Sequence, residues 1–181
     1  MDECNLIRMA TEERTLLKKY YYYYRKQCEI SQELKKLYKK GRNPNFPECI
    51  SEFLAKEICN ATKPKIGDLE IKGLRMEVKC FASTGPLSFG HNENWDIIIF
   101  IDATYPEKMS FIIYKISNTE KIWKEIKVNK TETFSEQCQQ KRRPRITFLQ
   151  LYKQLPTPEY IVECSIDSIF ENNFPKLEIE I

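Results

Sequence analysis

Three side chains near the middle of the chain have the types and spacing to hydrolyse a phosphodiester: Asp68, Glu77 and Lys79, in the pattern D-x8-E-x-K. Breaking that bond requires neutralising the charge of a phosphorane-like transition state and making a nucleophile from water. Two carboxylates can hold Mg²⁺, which keeps several waters and takes phosphate oxygens directly. Lys79 follows Glu77 by two residues, so on a strand both point the same way. Its ammonium can then orient or help deprotonate the water and offset negative charge. An acid two residues before a lysine also occurs at Glu33/Lys35, Glu70/Lys72 and Glu125/Lys127. The tripeptide alone therefore identifies nothing. Glu33 falls in a predicted helix, where i and i+2 diverge, and Glu125 has no acid behind a turn upstream. Glu77 alone combines a strand, an upstream acid behind a turn, and an acid-bearing helix before both. The plain alternative is an exposed strand face that happens to carry Glu77 and Lys79.

The elements that must position these groups are legible in outline. Thr11 to Lys40 reads as a helix, with Thr11 as N-cap, Glu12 and Glu13 in the first turn, and Gly41 as C-cap. The run Tyr20 to Tyr24 lies within it and covers every face, so some rings must meet the core while others are exposed. A second helix starts at Pro47 as an N1-type proline; Ile50, Leu54 and Ile58 form its apolar row, and Glu48 and Glu52 share a different face. A turn at residues 63–67 precedes Asp68. Leu74 to Phe81 alternates as a half-buried strand does. Residues 95–102 are a continuous apolar run suited to a central strand covered on both faces, and residues 111–116 supply a third strand. Thr131 to Gln140 and Thr147 to Leu155 read as helices, and Tyr160 to Cys164 as a weaker strand. Helices, then strands, then helices predict an α/β fold with a mixed central sheet flanked by helices.

The length of 181 residues fits one domain, expected to divide into a helical segment (1–42), a catalytic core (43–117) and a basic helix with an acidic tail (118–181). No apolar run approaches the roughly 20 residues a bilayer demands. The charged start MDECNLIRMATEER is unlike a signal peptide. Seven cysteines without a CxxC pair, beside a single histidine, argue against zinc and a disulfide framework. A cytoplasmic setting is the expectation. The net charge of +3 hides polarity: residues 1–42 hold 11 Lys/Arg against 6 acids, residues 121–145 hold 8 against 3, and the tail from Glu159 holds 1 against 6. Two basic segments are what a polyanion-binding surface would produce if folding joined them, though lysines on helices are also commonly just solvated. In Lys141-Arg142-Arg143-Pro144-Arg145, arginine forks match phosphate geometry and Pro144 stiffens the cluster.

The order Asn45-Phe-Pro-Glu-Cys-Ile-Ser-Glu52, Gly67-Asp68, Met76-Glu-Val-Lys-Cys-Phe81 and Ser83-Thr-Gly-Pro-Leu-Ser-Phe-Gly90 resembles the PD-(D/E)xK nucleases, and more narrowly the small Type II restriction endonucleases. The resemblance covers about residues 43 to 103, with residues 141–145 as a further basic element. It implies a restriction-endonuclease-like core, Mg²⁺ as cofactor, double-stranded DNA as substrate and a companion DNA methyltransferase. It also implies that Asp68 and Glu77 bind the metal, Lys79 serves the water and Glu52 supports the metal site, with Glu48 as a rival to Glu52. Gly67 stands where the motif has Pro. In the turn-rich segment after the strand, Ser83, Thr84, Ser88, His91 and Asn92 are candidate DNA contacts, and Gly85 and Gly90 would allow close backbone approach. Lys141, Arg142, Arg143 and Arg145 are candidate phosphate contacts. Gln137, Gln139 and Gln140 beside them could pair with adenine.

Two further readings stand beside a sequence-specific endonuclease: a structure-selective nuclease such as a Holliday-junction resolvase, and a non-catalytic nucleic-acid-binding protein. One candidate metal site per chain, against two strands to cut, makes a homodimer the simplest assembly, with the tyrosine-bearing helix as the first candidate interface.

Overall fold

In the computed structural model, which describes residues 3–39, 42–65, 67–118 and 122–177, the apolar run after Trp95 becomes the middle strand of a five-stranded sheet. The elements are α1 (Glu3–Tyr38), α2 (Glu48–Cys59), β1 (Leu69–Ile71), β2 (Leu74–Phe81), β3 (Pro86–Ser88), β4 (Ile97–Asp102), β5 (Ser110–Ser117), α3 (Phe134–Gln139), β6 (Arg145–Thr147), α4 (Phe148–Tyr152), β7 (Tyr160–Ser165) and α5 (Ile166–Phe170). The sheet order is β1-β2-β4-β5-β7, with β2 and β4 parallel and every other pair antiparallel, so the sheet is mixed. Ile97 to Ile101 are all buried, as a strand covered on both faces requires. Asp96 and Asp102 tie off its ends: Asp96 Oδ2 accepts from the Arg75 N–H at 2.9 Å, and Asp102 Oδ1 accepts from the Thr104 N–H at 2.9 Å.

Alternation along β4 sends side chains into two different cores. Ile97, Ile99 and Ile101 join Met76, Val78 and the helix residues Tyr21, Tyr24, Ile50, Leu54 and Ile58. Ile98 and Phe100 join Phe89, Trp95, Trp123, Phe134 and Ile146 on the opposite face. The same alternation on β2 puts Met76 and Val78 in the first core. It leaves Glu77 and Lys79, paired in register with Ile98 and Phe100, on the second face.

Several boundaries differ from expectation. The first helix runs through Thr11 instead of starting there, because nothing between Glu3 and Ala10 is a Gly or Pro that would stop it. Gly41, the expected C-cap, lies outside the described residues. Pro47 is the N-cap of α2 and not its first helical residue, and Asn60 closes that helix at φ 51°. The helix expected from Thr131 begins only at Phe134. Asn129 Oδ1 accepts from the Thr131 and Glu132 N–H groups at 2.9 and 2.8 Å, and Thr133 then forms a capping box with Glu136. The helix expected over Thr147 to Leu155 shrinks to α4, with Thr147 as its N-cap. The stretch Ser83 to Asn94 is not wholly loop: β3 pairs with β6, setting Leu87 opposite Ile146 and Ser88 opposite Arg145. Neither strand was legible, since each has three residues and its pairing is long-range.

Candidate active site

Along β2, strand β1 pairs with Leu74, Arg75 and Met76 and no further, so the pairing ends just before Glu77. Beyond that point the Val78 N–H donates to Asp68 Oδ2 at 2.8 Å, a carboxylate doing what a neighbouring strand would otherwise do. That bond fixes Asp68 against β2, one residue from Glu77. Gly67, immediately before it, has φ 97°. Proline is locked near −65° and cannot adopt that value, which accounts for Gly in place of Pro at this position.

Asp68, Glu77 and Lys79 line one cleft of about 1030 Å³ together with Glu48 and Glu52 from α2, His91, Asn92 and Glu93 from the loop after β3, and Lys141 and Arg143. Glu77 is only 9% exposed. Its burial pushes the carboxyl up to about 7; Lys79 pulls it back, while Asp68 and Glu93 add to the rise. Burial also holds Asp68 above its ordinary value, against the Val78 N–H and Lys79, and Glu52 contributes to that rise. Glu52 is half-buried and ion-paired with Lys63, whereas Glu48 is exposed. Lys79 is ion-paired with Glu77, lies 3.7 Å from Glu93 Oε2, and sits 5.4 Å from the centroid of the Phe89 ring.

The expected DNA contacts divide. His91, Asn92, Lys141 and Arg143 border the first cleft. Ser83 and Arg145 border a second one of about 610 Å³, which shares Phe46 and Cys80 with the first and also carries Lys35 and Arg42. Folding thus joins the basic N-terminal segment to the basic cluster. Ser88 lies within β3, opposite Arg145, and Thr84 is exposed and borders neither cleft. Gln140 and Arg142 also stand apart: Arg142 Nη1 donates to Glu132 Oε1 at 2.6 Å and to Gln140 Oε1 at 2.9 Å. Gln137 is buried and donates to Glu132 Oε2 at 2.9 Å, so it holds the fold and does not read bases. Nothing in the local sequence singles out Glu93, which lies in a turn-rich loop and belongs to no motif. Its nearness to Lys79 is purely tertiary.

The model of the Bsp6I restriction endonuclease family matches residues 12–154. The chain belongs to that family. It is therefore a Type II restriction enzyme, a site-specific deoxyribonuclease that cleaves DNA. Family membership decides against both a non-catalytic binding protein and a structure-selective resolvase. The match begins inside α1 and spans the cleft, the basic segment 121–145, all but the start of the basic segment 1–42, and α4. No curated protein matches the chain. Among the described residues, no helix is long and apolar enough to cross a membrane.

Proposed function

We propose that the cleft around Asp68, Glu77 and Lys79 is the site at which this restriction enzyme hydrolyses DNA, that Mg²⁺ is its cofactor, and that the whole chain works as one nuclease domain. The observation that carries the reading is the convergence of a buried carboxylate, Glu77, with a half-buried one, Asp68, both raised by desolvation, and a lysine ammonium between Glu77 and Glu93. The donor set fits the metal. Among the described residues no three His, Cys, Asp or Glu side chains form a closed cage, and Mg²⁺ is usually held by one or two carboxylates, with waters and substrate phosphate completing its shell. Asp68 and Glu77 would hold it, and when bound it supplies charge neutralisation at the phosphate and lowers the pKa of water. Asp68 is held in place by the Val78 N–H. Lys79 presents a compact cation at the position from which it can orient the water and offset developing charge. Glu52 supports the carboxylate pair from α2, while Arg143, Lys141 and the Lys35, Arg42 and Arg145 groups of the second cleft give DNA phosphates a continuous basic border. Incubation with phage DNA and Mg²⁺ is expected to give discrete bands that vanish when the metal is chelated. Equal cutting in chelator would overturn the metal assignment, and a smear would overturn the site specificity.

A companion methyltransferase protecting the same recognition sequence follows from this role. The enzyme acts as a homodimer through α1. Tyr21, Tyr24 and Cys28 of that helix are buried in the core, against Phe46 and Phe111. Leu16, Tyr20, Tyr23, Gln27, Ile30, Leu34 and Leu37 are all exposed, and they recur at alternating intervals of four and three residues. That is a heptad seam, with one polar residue of the kind that sets register. The 36-residue helix is about 54 Å long, more than a domain of this size can cover along one side. A stable interface needs about 800 Å² per protomer, and a seam of this length is where α1 can offer it. A second copy is the occupant that also supplies the second cutting site. Sedimentation on uncleaved duplex with Ca²⁺ in place of Mg²⁺ is expected to give two chains per duplex. Leu34→Glu combined with Leu37→Glu should yield a folded monomer that leaves a persistent nicked intermediate. One wild-type chain per duplex would reject the dimer.

A further inference from the structure

The carboxylate of Glu93 lies between two cations of the cleft, Oε2 at 3.7 Å from Lys79 Nζ and Oε1 at 4.0 Å from Arg143 Nη2. The backbone is built around that placement. The Glu93 N–H donates to the Gly90 carbonyl at 3.4 Å, and the side chain folds back over Gly90 so closely that a Cβ there would collide with Oε1, Cδ and Cγ. Gly90 therefore makes room for Glu93 itself, where the sequence suggested room for DNA.

We infer that Glu93 is an internal stand-in for a DNA phosphate: it neutralises Lys79 and Arg143 in the free enzyme and is displaced from between them when a phosphodiester enters. The inference rests on the reading of this cleft as the DNA-cutting site. An acid bridging two cations at the mouth of a phosphate-binding cleft occupies the position with the most favourable potential for an anion. It does so without the metal. When DNA enters, the two cations exchange one anion for another, and the freed Glu93 carboxylate takes up a solvent cation. The counterions released by DNA at this point are thus partly recaptured, so wild-type binding should be weaker and less salt-dependent than the number of basic contacts implies. Glu93 is accordingly a positioning residue that tunes DNA affinity, not a catalytic one.

The test is metal-free binding of a short labelled duplex, followed by anisotropy across a salt series. Glu93→Gln keeps the shape and removes the charge. It is expected to bind about fivefold to tenfold more tightly at low salt, because a like-charge repulsion at contact distance is gone. Its log K against log salt should be steeper by about one released ion. Gly90→Ala should shift both quantities in the same direction, since the new methyl would displace the Glu93 side chain. Introduced into an Arg143→Ala background, Glu93→Gln should give a smaller gain, since one of the two cations that Glu93 neutralises is gone. Unchanged or weaker binding by Glu93→Gln, or a gain undiminished by the loss of Arg143, would overturn the inference. Asp68→Asn, assayed for cleavage alongside, keeps the two ideas separable: cleavage retained there sinks the site assignment, whereas a dead Asp68→Asn with unaltered Glu93→Gln binding sinks only the stand-in.

Discussion

Cleavage by Asp68→Asn and by Glu77→Gln is expected to fall by about a thousandfold or more, since on the proposed reading each change would remove a ligand from a metal worth several kcal/mol of charge stabilisation. The choice of substitution matters at Asp68. Its Oδ2 is the partner of the Val78 N–H, so Asp68→Ala would also strand a backbone donor at a cost of about 1–3 kcal/mol. Asparagine keeps an acceptor there and loses only the charge. At Glu77 the burden runs the other way. Burial disfavours the charged carboxylate, so the amide should leave the metal-free protein at least as stable as wild type. Glu70 provides the control. It sits in β1 opposite Arg75 and outside the cleft, and Glu70→Ala should cut DNA normally. Single-turnover assays with thermal denaturation curves check all of this. Wild-type rates in either amide variant, or a dead Glu70→Ala, would show that the carboxylates have been wrongly assigned.

Lys79→Ala should lower the single-turnover rate at saturating Mg²⁺ by about 10²- to 10⁴-fold, the range for a group that assists proton transfer, while changing metal affinity much less. Lys79→Arg should recover little. The ammonium occupies a confined place between Glu77 and Glu93 above the Phe89 ring, and a planar guanidinium has neither the size nor the point-charge character to replace it. If the loss in Lys79→Ala were instead restored by raising the metal concentration, the lysine would be acting on ligand geometry and not on the water.

How much of this was legible beforehand varies from residue to residue. The D-x8-E-x-K pattern, the alternation of β2 and the wholly apolar run of β4 are local properties, and local properties are what a one-dimensional pattern encodes. Together they located the strand that carries Glu77 and Lys79, its central neighbour and the mixed sheet. The helix α1 was legible in kind but not in its limits, because its start depends on the absence of a stop signal. The tyrosine run shows the same division. Its composition announces an aromatic helix, yet only packing against Phe46 and Phe111 selects Tyr21 and Tyr24 for the core and leaves Tyr20 and Tyr23 outside.

The chain's sequence by itself determined which chemical groups are present and which of them share a strand face: Glu77 with Lys79, behind an acid at a turn. Only the tertiary structure shows which distant groups meet around them. The ion pair of Glu52 with Lys63, the Val78 N–H on Asp68, Glu93 between Lys79 and Arg143, and Ser88 beside Arg145 all depend on segments apart in the chain being held at fixed distances. Those distances come from burying two apolar faces of one sheet, a global packing requirement that no short window of residues contains.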